Sequence, residues 1–181
     1  LDDIKSLSLK NNRILVGVSG GQDSSVLLHL CSMLPKKFHV FGLYVNHNLR
    51  NSAIAEEKFA INKSKIYDIP IYIHRSQAVK PSNQSIEMHA RKIRYLAFQK
   101  YIKKLSCDVF LTAHHANDNL ETILMRLNDG VGLAGIRGIP KRNGYYYRPL
   151  LYFKKKIIEE FKKNENIDFL FDKTNRDISI K

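Results

Sequence analysis

Seven consecutive residues, Ser19-Gly20-Gly21-Gln22-Asp23-Ser24-Ser25, concentrate the means of holding an anion. Adjacent glycines let the backbone take conformations closed to other residues and approach a ligand closely. Three hydroxyls in the same stretch add donors. Upstream, residues 13–18 (RILVGV) form a short apolar run of the kind a buried parallel strand requires. Downstream, Val26, Leu27, Leu28, Leu30, Met33 and Leu34 recur with helical spacing until Pro35. Strand, Gly-rich turn and helix N-terminus together make an anion site, with N–H groups and the positive end of the helix dipole aimed at one point. The loop is neither a GxxxxGK[ST] phosphate loop, since it has no lysine, nor a GxGxxG dinucleotide fingerprint. It carries a carboxylate instead. Asp23 repels phosphate unless Mg2+ stands between them, so the expected ligand is a metal-bound polyphosphate, with Asp23 on the metal.

A second constellation lies at Thr112-Ala113-His114-His115-Ala116-Asn117-Asp118-Asn119-Leu120-Glu121-Thr122. On a helix, His114, Asp118 and Glu121 share a face at i, i+4, i+7. Imidazole and two carboxylates can ligate a metal or position ATP-bound Mg2+. The alternative is architectural: His115 and Asn117 cap the helix, and Glu121 pairs with Arg126. Four of the nine glycines then fall at Gly130, Gly132, Gly135 and Gly138. That backbone can fold closely round a ligand, with Arg137 placed to meet a phosphate or a base. Glu87, Arg91 and Arg94 lie on one helical face. Either the arginines meet a phosphate, or the face is solvated and a Glu87–Arg91 pair contributes only about 0.3–0.5 kcal/mol.

These groups need elements to position them. Residues 38–45 read as a second strand, ending at Asn46-His47-Asn48-Leu49-Arg50, and residues 52–67 as a helix. Residues 70–74 form a third strand; a polar stretch then leads into a long helix reaching residue 105. Residues 108–112 are a fourth strand ending at His114-His115, and residues 117–128 a further helix. Alternating strands and helices predict an α/β fold with a mainly parallel sheet and helices on both faces. Ligands in such sheets bind beyond the C-terminal strand ends, which is where the first loop, residues 46–50 and the two histidines all fall.

At 181 residues and 44% hydrophobic, the chain suits one domain with a real core. Its apolar stretches are broken by charge well short of the roughly 20 residues of a membrane span, which excludes an integral membrane protein. Cys31 and Cys107 form no CxxC pair, so a disulfide scaffold or cysteine-rich zinc fold is excluded and a reducing cytoplasm is expected. Thirty Lys+Arg against seventeen Asp+Glu give a net charge of +13, which points to a polyanionic partner, nucleic acid or an anionic surface. Lys, Asn and Ile are abundant throughout, as in AT-rich genomes, so charge alone does not decide the partner.

SGGQDSS resembles the SGGxDS pyrophosphate loop of N-type ATP pyrophosphatases, which break ATP between the α and β phosphates and adenylate a substrate. Residues 114–140, HHANDNLETILMRLNDGVGLAGIRGIP, are similar to the HHADDQxETxLLRLxRGxGLxGLxGMP stretch of bacterial tRNA(Ile)-lysidine synthetases. That family's VDHxLR stretch is matched by Val45-Asn46-His47-Asn48-Leu49-Arg50. Its ExxAR and RY positions are matched by Glu87, Ala90, Arg91, Arg94 and Tyr95. RPLL is matched by residues 148–151, and an acidic D-x-TN stretch by Asp172, Thr174 and Asn175. The matches run in order from Gly17 to Asn175. In two places the chain departs: Asn46 stands for the family's Asp, as does Asn117 after HHA, so neither carries charge.

The resemblance implies a Rossmann-like, doubly wound fold of the adenine nucleotide alpha hydrolase type. It makes residues 1–181 a catalytic domain, without the family's C-terminal regions. It implies ATP and Mg2+, and activation of the wobble cytidine at C2 in a CAU-anticodon tRNA(Ile). Free L-lysine then displaces AMP to give lysidine. Asp23, His115, Asp118 and Glu121 are the implied catalytic set. Ser19, Gly20, Gly21, Gln22, Asp23, Ser24, Ser25, Asn46 and His47 surround the nucleotide, with Asp23 on the metal. Arg91, Arg94, Gly132, Arg137 and Arg148 face the tRNA. Partners are tRNA, lysine and a second copy as a homodimer, with no membrane. Among rivals, a tRNA thiolase needs a catalytic cysteine at the rim, where neither Cys31 nor Cys107 falls. Amidotransferase-type synthetases lack the HHxxDxxET and GxGLxG stretches. A non-catalytic nucleotide-binding module has no use for carboxylates at the rim.

Overall fold

Ile14, Leu15 and Val16 are completely buried on β1 (Arg13–Val18), although successive side chains point to opposite faces. Only a central strand covered on both sides meets that demand. The computed structural model describes residues 1–46, 53–76, 85–130 and 137–170. In it β1 pairs in parallel with β2 (His39–Asn46) on one side and β4 (Val109–Leu111) on the other. With β3 (Ile71–Arg75), β5 (Arg142–Asn143) and β6 (Tyr146–Tyr147) the six-stranded sheet has the order β3-β2-β1-β4-β6-β5, antiparallel only at the β5–β6 pair.

Helices cover both faces. Ile14, Val16, Val109 and Leu111 pack with α1 (Asp2–Lys5), α2 (Gln22–Ser32) and α6 (Lys155–Asn164), through Ile4, Val26, Leu27, Cys31 and Ile158. On the opposite face Leu15, Leu43, Val45 and Phe110 pack with Ile93, Ala97, Phe98 and Ile102 of α4 (Ile86–Lys104). The Phe98 and Phe110 rings stand 3.9 Å apart. α3 (Ala53–Tyr67) joins β2 to β3, and α5 (Ala116–Asn128) leaves the end of β4. The doubly wound parallel sheet expected from the sequence is therefore present. The β5–β6 hairpin and α6 were not foreseen: two-residue strands leave no periodicity to read. No helix among the described residues is long and apolar enough to cross a membrane.

For function the decisive feature is the β1–β4 neighbourhood. From β1 the chain winds outward through β2 and β3, then returns past β1 to β4, so helices leave these two adjacent strands in opposite senses. That reversal opens the crevice in which doubly wound sheets bind ligands. Asp108, just before β4, fixes the pairing at the opposite end. Its carboxylate accepts the backbone N–H groups of Asn11 at 2.9 Å and Arg13 at 3.0 Å, while its own N–H donates to the Arg13 carbonyl at 2.8 Å. Asp108→Ala leaves those donors to compete for water. We expect a loss of about 1–3 kcal/mol, read from the urea midpoint, with the far-UV spectrum retained.

Candidate active site

Gly20 adopts φ +82°, a region that side-chain-bearing residues rarely enter. Its carbonyl accepts from the Leu170 N–H at 2.8 Å, and a Cβ at this position would come within 3.0 Å of Leu170 Cδ1. The next carbonyl, Gly21, accepts from the Ser25 N–H and from the hydroxyls of Ser24 and Ser25, each at 3.0 Å. Ser19 Oγ lies 2.9 Å from Ser24 Oγ and accepts from the Gly21 N–H at 3.3 Å. The sequence suggested three hydroxyl donors for an anion. Ser24 and Ser25 are instead buried and build the loop, which leaves the first-turn amides of α2 as the anion donors. Gln22 is tied to α6: its Oε1 accepts from Lys162 Nζ at 3.0 Å.

Asp23 sits in the first turn of α2. Its Oδ2 lies 3.7 Å from His115 Nε2, and its Oδ1 is buried with no partner among the described residues. Burial pushes this carboxyl above its ordinary value; His115 and Lys155 pull against the rise, and Asp118 adds to it. A buried carboxylate oxygen without a donor calls for a cation. Mg2+ commonly takes one or two protein carboxylates and completes its shell with water and substrate phosphates. No group of three or more His, Cys, Asp or Glu among the described residues is arranged to hold a metal ion by itself, so Asp23 with phosphate oxygens is the donor set that fits.

The second constellation folds differently from its expected helical face. α5 begins only at Ala116, with His115 as N-cap. His115 Nδ1 accepts from the Asp118 N–H at 3.3 Å, and the Asp118 carboxylate accepts from the His115 N–H at 2.7 Å, a reciprocal capping box. Nε2 on the other side of the ring faces Asp23. His114 precedes the helix and cannot share a face with Asp118 and Glu121. Its Nδ1 lies 2.9 Å from Thr112 Oγ1, and burial together with Arg148, Arg91 and Arg94 holds it below the usual imidazole range. Glu121 is exposed one turn further along. The anticipated Glu121–Arg126 pair is not among the ion pairs of the described residues; the Arg126 guanidinium donates to the Arg137 carbonyl.

Neighbouring asparagines hold the surroundings. Asn117 Oδ1 accepts from the Lys155 N–H at 3.0 Å and caps α6, so it is structural. Asn119 Oδ1 accepts from the Ile139 N–H at 2.6 Å, and any Cβ on Gly138 would collide with that amide. Asn46, expected beside the nucleotide, is buried at the end of β2 and donates to Glu57 Oε1 at 2.8 Å; Arg75 bonds the same carboxylate. Arg91 and Arg94 are exposed on α4, and Arg137 is exposed beyond α5. Arg148 is buried and donates to the Pro140 carbonyl at 2.7 Å, so its guanidinium braces that segment rather than standing open to RNA. Lys141, also near that segment in sequence, is bound to Asp3. His47, Gly132 and the Glu87 side chain lie outside the described residues.

Sequence reasoning missed Lys155, Lys162 and Tyr146, which lie in the poorly patterned C-terminal third. The cysteines offer no nucleophile. Burial pushes Cys31 up to about 12 and Cys107 up to about 11, and both belong to core clusters.

A family model described as PP-loop domain matches residues 2–181. A tRNA(Ile)-lysidine synthase of Thermosipho africanus is 42% identical over 179 residues, covering 93% of this chain and 40% of its own length. Another from Clostridium tetani is 38% identical, covering 92% and 37%, and one from Francisella tularensis subsp. novicida is 36% identical, covering 100% and 45%. The chain thus spans about two fifths of the length of these curated relatives. Among solved structures, a U34-tRNA thiolase from Methanococcus maripaludis superposes with a TM-score of 0.74 at 18% identity, covering 93% of this chain and 64% of that one. An NH3-dependent NAD synthetase from Campylobacter jejuni gives 0.63 at 18%, covering 92% and 68%. At such identities the likeness shows the fold alone.

The cap supplied by Asn117 needs an acceptor oxygen and no charge. Asn117→Asp should leave stability within about 0.5 kcal/mol, whereas Asn117→Ala should cost about 0.5–2 kcal/mol. Thermal denaturation of the two variants beside the parent checks this.

Proposed function

Because the chain belongs to the PP-loop domain family, we propose that it is the ATP-activating part of an enzyme that joins lysine to C2 of the wobble cytidine in a CAU-anticodon tRNA(Ile). The observation that carries the reading is the buried, unpartnered Asp23 oxygen at the helix end of a Gly-Gly loop. The curated relatives, at 36–42% identity, supply the choice of substrate.

In the first step the cytidine O2 attacks the ATP α phosphate, and pyrophosphate leaves. The α2 first-turn amides face the leaving group, where preorganised donors lower the barrier most. Mg2+ held by Asp23, when bound, neutralises charge between that carboxylate and the phosphates. His115 presents Nε2 beside Asp23, and Asp118 holds the imidazole in that orientation through the capping box. In the second step the lysine ε-amine attacks C2, the C2–O2 bond breaks, and AMP departs with O2. The amine must lose a proton, for which a carboxylate or imidazole at this rim is suited; His114, lowered below the usual imidazole range by burial and the nearby arginines, and Glu121 are the groups available. Arg91, Arg94 and Arg137 are exposed and positive, and meet the tRNA backbone. The thiolase alternative finds no support, since both thiols are buried in the core.

Asp23→Ala should lower ATP- and tRNA-dependent pyrophosphate release by about a hundredfold or more, with circular dichroism unchanged; normal release from that variant sinks the assignment of the loop. Incubation of tRNA(Ile) with ATP, Mg2+ and lysine should raise the wobble nucleotide's mass by that of lysine less water. For tRNA binding, log K should fall with log salt at about −0.7 to −0.9 per phosphate neutralised. Arg91→Ala or Arg94→Ala should flatten that slope by roughly one contact.

A further inference from the structure

Two adjacent glycines leave the peptide unit between them free to turn over at little steric cost, so a contact must fix the orientation that Gly20 and Gly21 adopt. Leu170 makes that contact from outside the loop. Its N–H donates to the Gly20 carbonyl at 2.8 Å, and its Cδ1 lies 3.0 Å from the position a Cβ on Gly20 would take. At the other end of the same unit the Gly21 N–H donates to Ser19 Oγ at a longer 3.3 Å. Orientation matters because a loop of this kind holds an anion through backbone N–H groups. Turned over, the unit would aim an oxygen where it now aims a hydrogen, and an anion is repelled by the change.

Leu170 is itself held in place. Residues 165–170 follow α6 and touch α2, the core, α3 and the loop in turn. Glu165 Oε2 lies 3.8 Å from Nε2 of His29 on α2, and Ile167 is buried in the core beside β1. Asp168 Oδ2 lies 3.5 Å from Nζ of Lys63 on α3. The Phe169 ring lies 4.2 Å from Lys162 Nζ, the ammonium that also bonds Gln22. Lys63 is the unusual member of this group. Its side chain is only 3% exposed, and its ammonium stands over the Phe59 and Tyr67 rings at 5.3 and 5.5 Å. Lysine rarely accepts such burial without a counter-charge, and among the described residues its ion pair is with Asp168. The reaction above assigns neither residue a role.

We propose that residues 165–170 act as a positioning arm for the phosphate loop. Leu170 selects the Gly20–Gly21 orientation that keeps the carbonyl off the polyphosphate, and the Lys63–Asp168 ion pair holds Leu170 within reach. Polyphosphate affinity therefore depends on a lysine that belongs to α3 and not to the loop. The proposal rests on the loop as the polyphosphate site and is independent of which substrate is adenylated.

Equilibrium titrations with ATP and Mg2+ and with AMP, made beside melting temperatures, test this. AMP lacks the phosphates that the loop would hold, so the ratio of the two affinities reads the loop and not the fold. The unmodified chain should prefer ATP. Leu170→Pro, which removes the N–H, should lower that preference by about fivefold to tenfold, as expected of one lost hydrogen bond. Leu170→Ala should lower it severalfold, and Leu170→Met, which keeps the apolar bulk, should retain it. Lys63→Met deletes the charge but keeps the packing, so its melting temperature should be unchanged or raised while the preference for ATP still falls. Added to Leu170→Pro it should have little further effect, since both act through one contact. A ratio that neither Leu170→Pro nor Leu170→Ala moves, or losses for ATP and AMP that run in step with melting temperature, overturns the proposal. A Lys63→Met ratio equal to that of the unmodified chain overturns the role of the ion pair. No preference for ATP in the unmodified chain overturns the reading of the loop itself, and with it the arm; a preference that the variants leave untouched overturns the arm alone.

Discussion

Everything at the rim depends on one contact across the β1–β4 crevice, Asp23 against His115 at 3.7 Å. Each residue stands at the start of a helix, one leaving β1 and the other β4. The sheet order brings two positive helix ends together, and a carboxylate between them is favoured by both dipoles. Yet Asp23 is also half-buried, with one oxygen shut off from water, which works against its charge. Burial wins, and the carboxyl is pushed up. The site is thus a carboxylate that the empty protein stabilises poorly and a cation with phosphate would stabilise well. Such a site favours the bound state without needing a dedicated cage of ligands.

Holding that contact in register falls largely to the C-terminal third. The Lys162 ammonium bonds Gln22 in the first turn of α2, and Asn117 in the first turn of α5 caps α6. Leu170 closes on Gly20, whose carbonyl it bonds and whose missing side chain it replaces in space. One helix therefore ties both helix starts together. The Gly-Gly loop thus has little conformational freedom, so a ligand binding there would pay a low ordering cost.

Much of this was legible in the residues, and what was not has physical reasons. The loop and the strands around it are spelled out by β-branched runs, paired glycines and a 3.6-residue period, signals that local sequence carries. The His114–Asp118–Glu121 face was misread because a helical wheel assumes the helix has already begun. The capping box places the start after His115, so Asp118 turns back to the backbone and His114 faces the arginines. The Ser24 and Ser25 hydroxyls were offered to a ligand because composition cannot reveal that the Gly21 carbonyl lies nearer. Arg148 looked like a surface cation, as arginines usually are. Its burial depends on β6 pairing beside β4, a two-residue strand with no periodicity to announce it.

The two asparagines that replace family aspartates show how one substitution can follow opposite logic. At Asn117 the structure uses the acceptor oxygen, which a carboxylate supplies equally well, so nothing in the Lys155 cap demands the neutral residue. At Asn46 it uses the donor. The Asn46 amide gives its hydrogen to Glu57, a carboxylate also held by Arg75 and lowered below its usual range by that bond. An aspartate there would set a second buried negative charge against Glu57 with one guanidinium between them, and like charges at such range disfavour ionisation of both. Asn46 is therefore matched to Glu57, and the polar end of β2 is neutralised within the protein, while Asp23 on the neighbouring strand's helix keeps an oxygen free for a ligand.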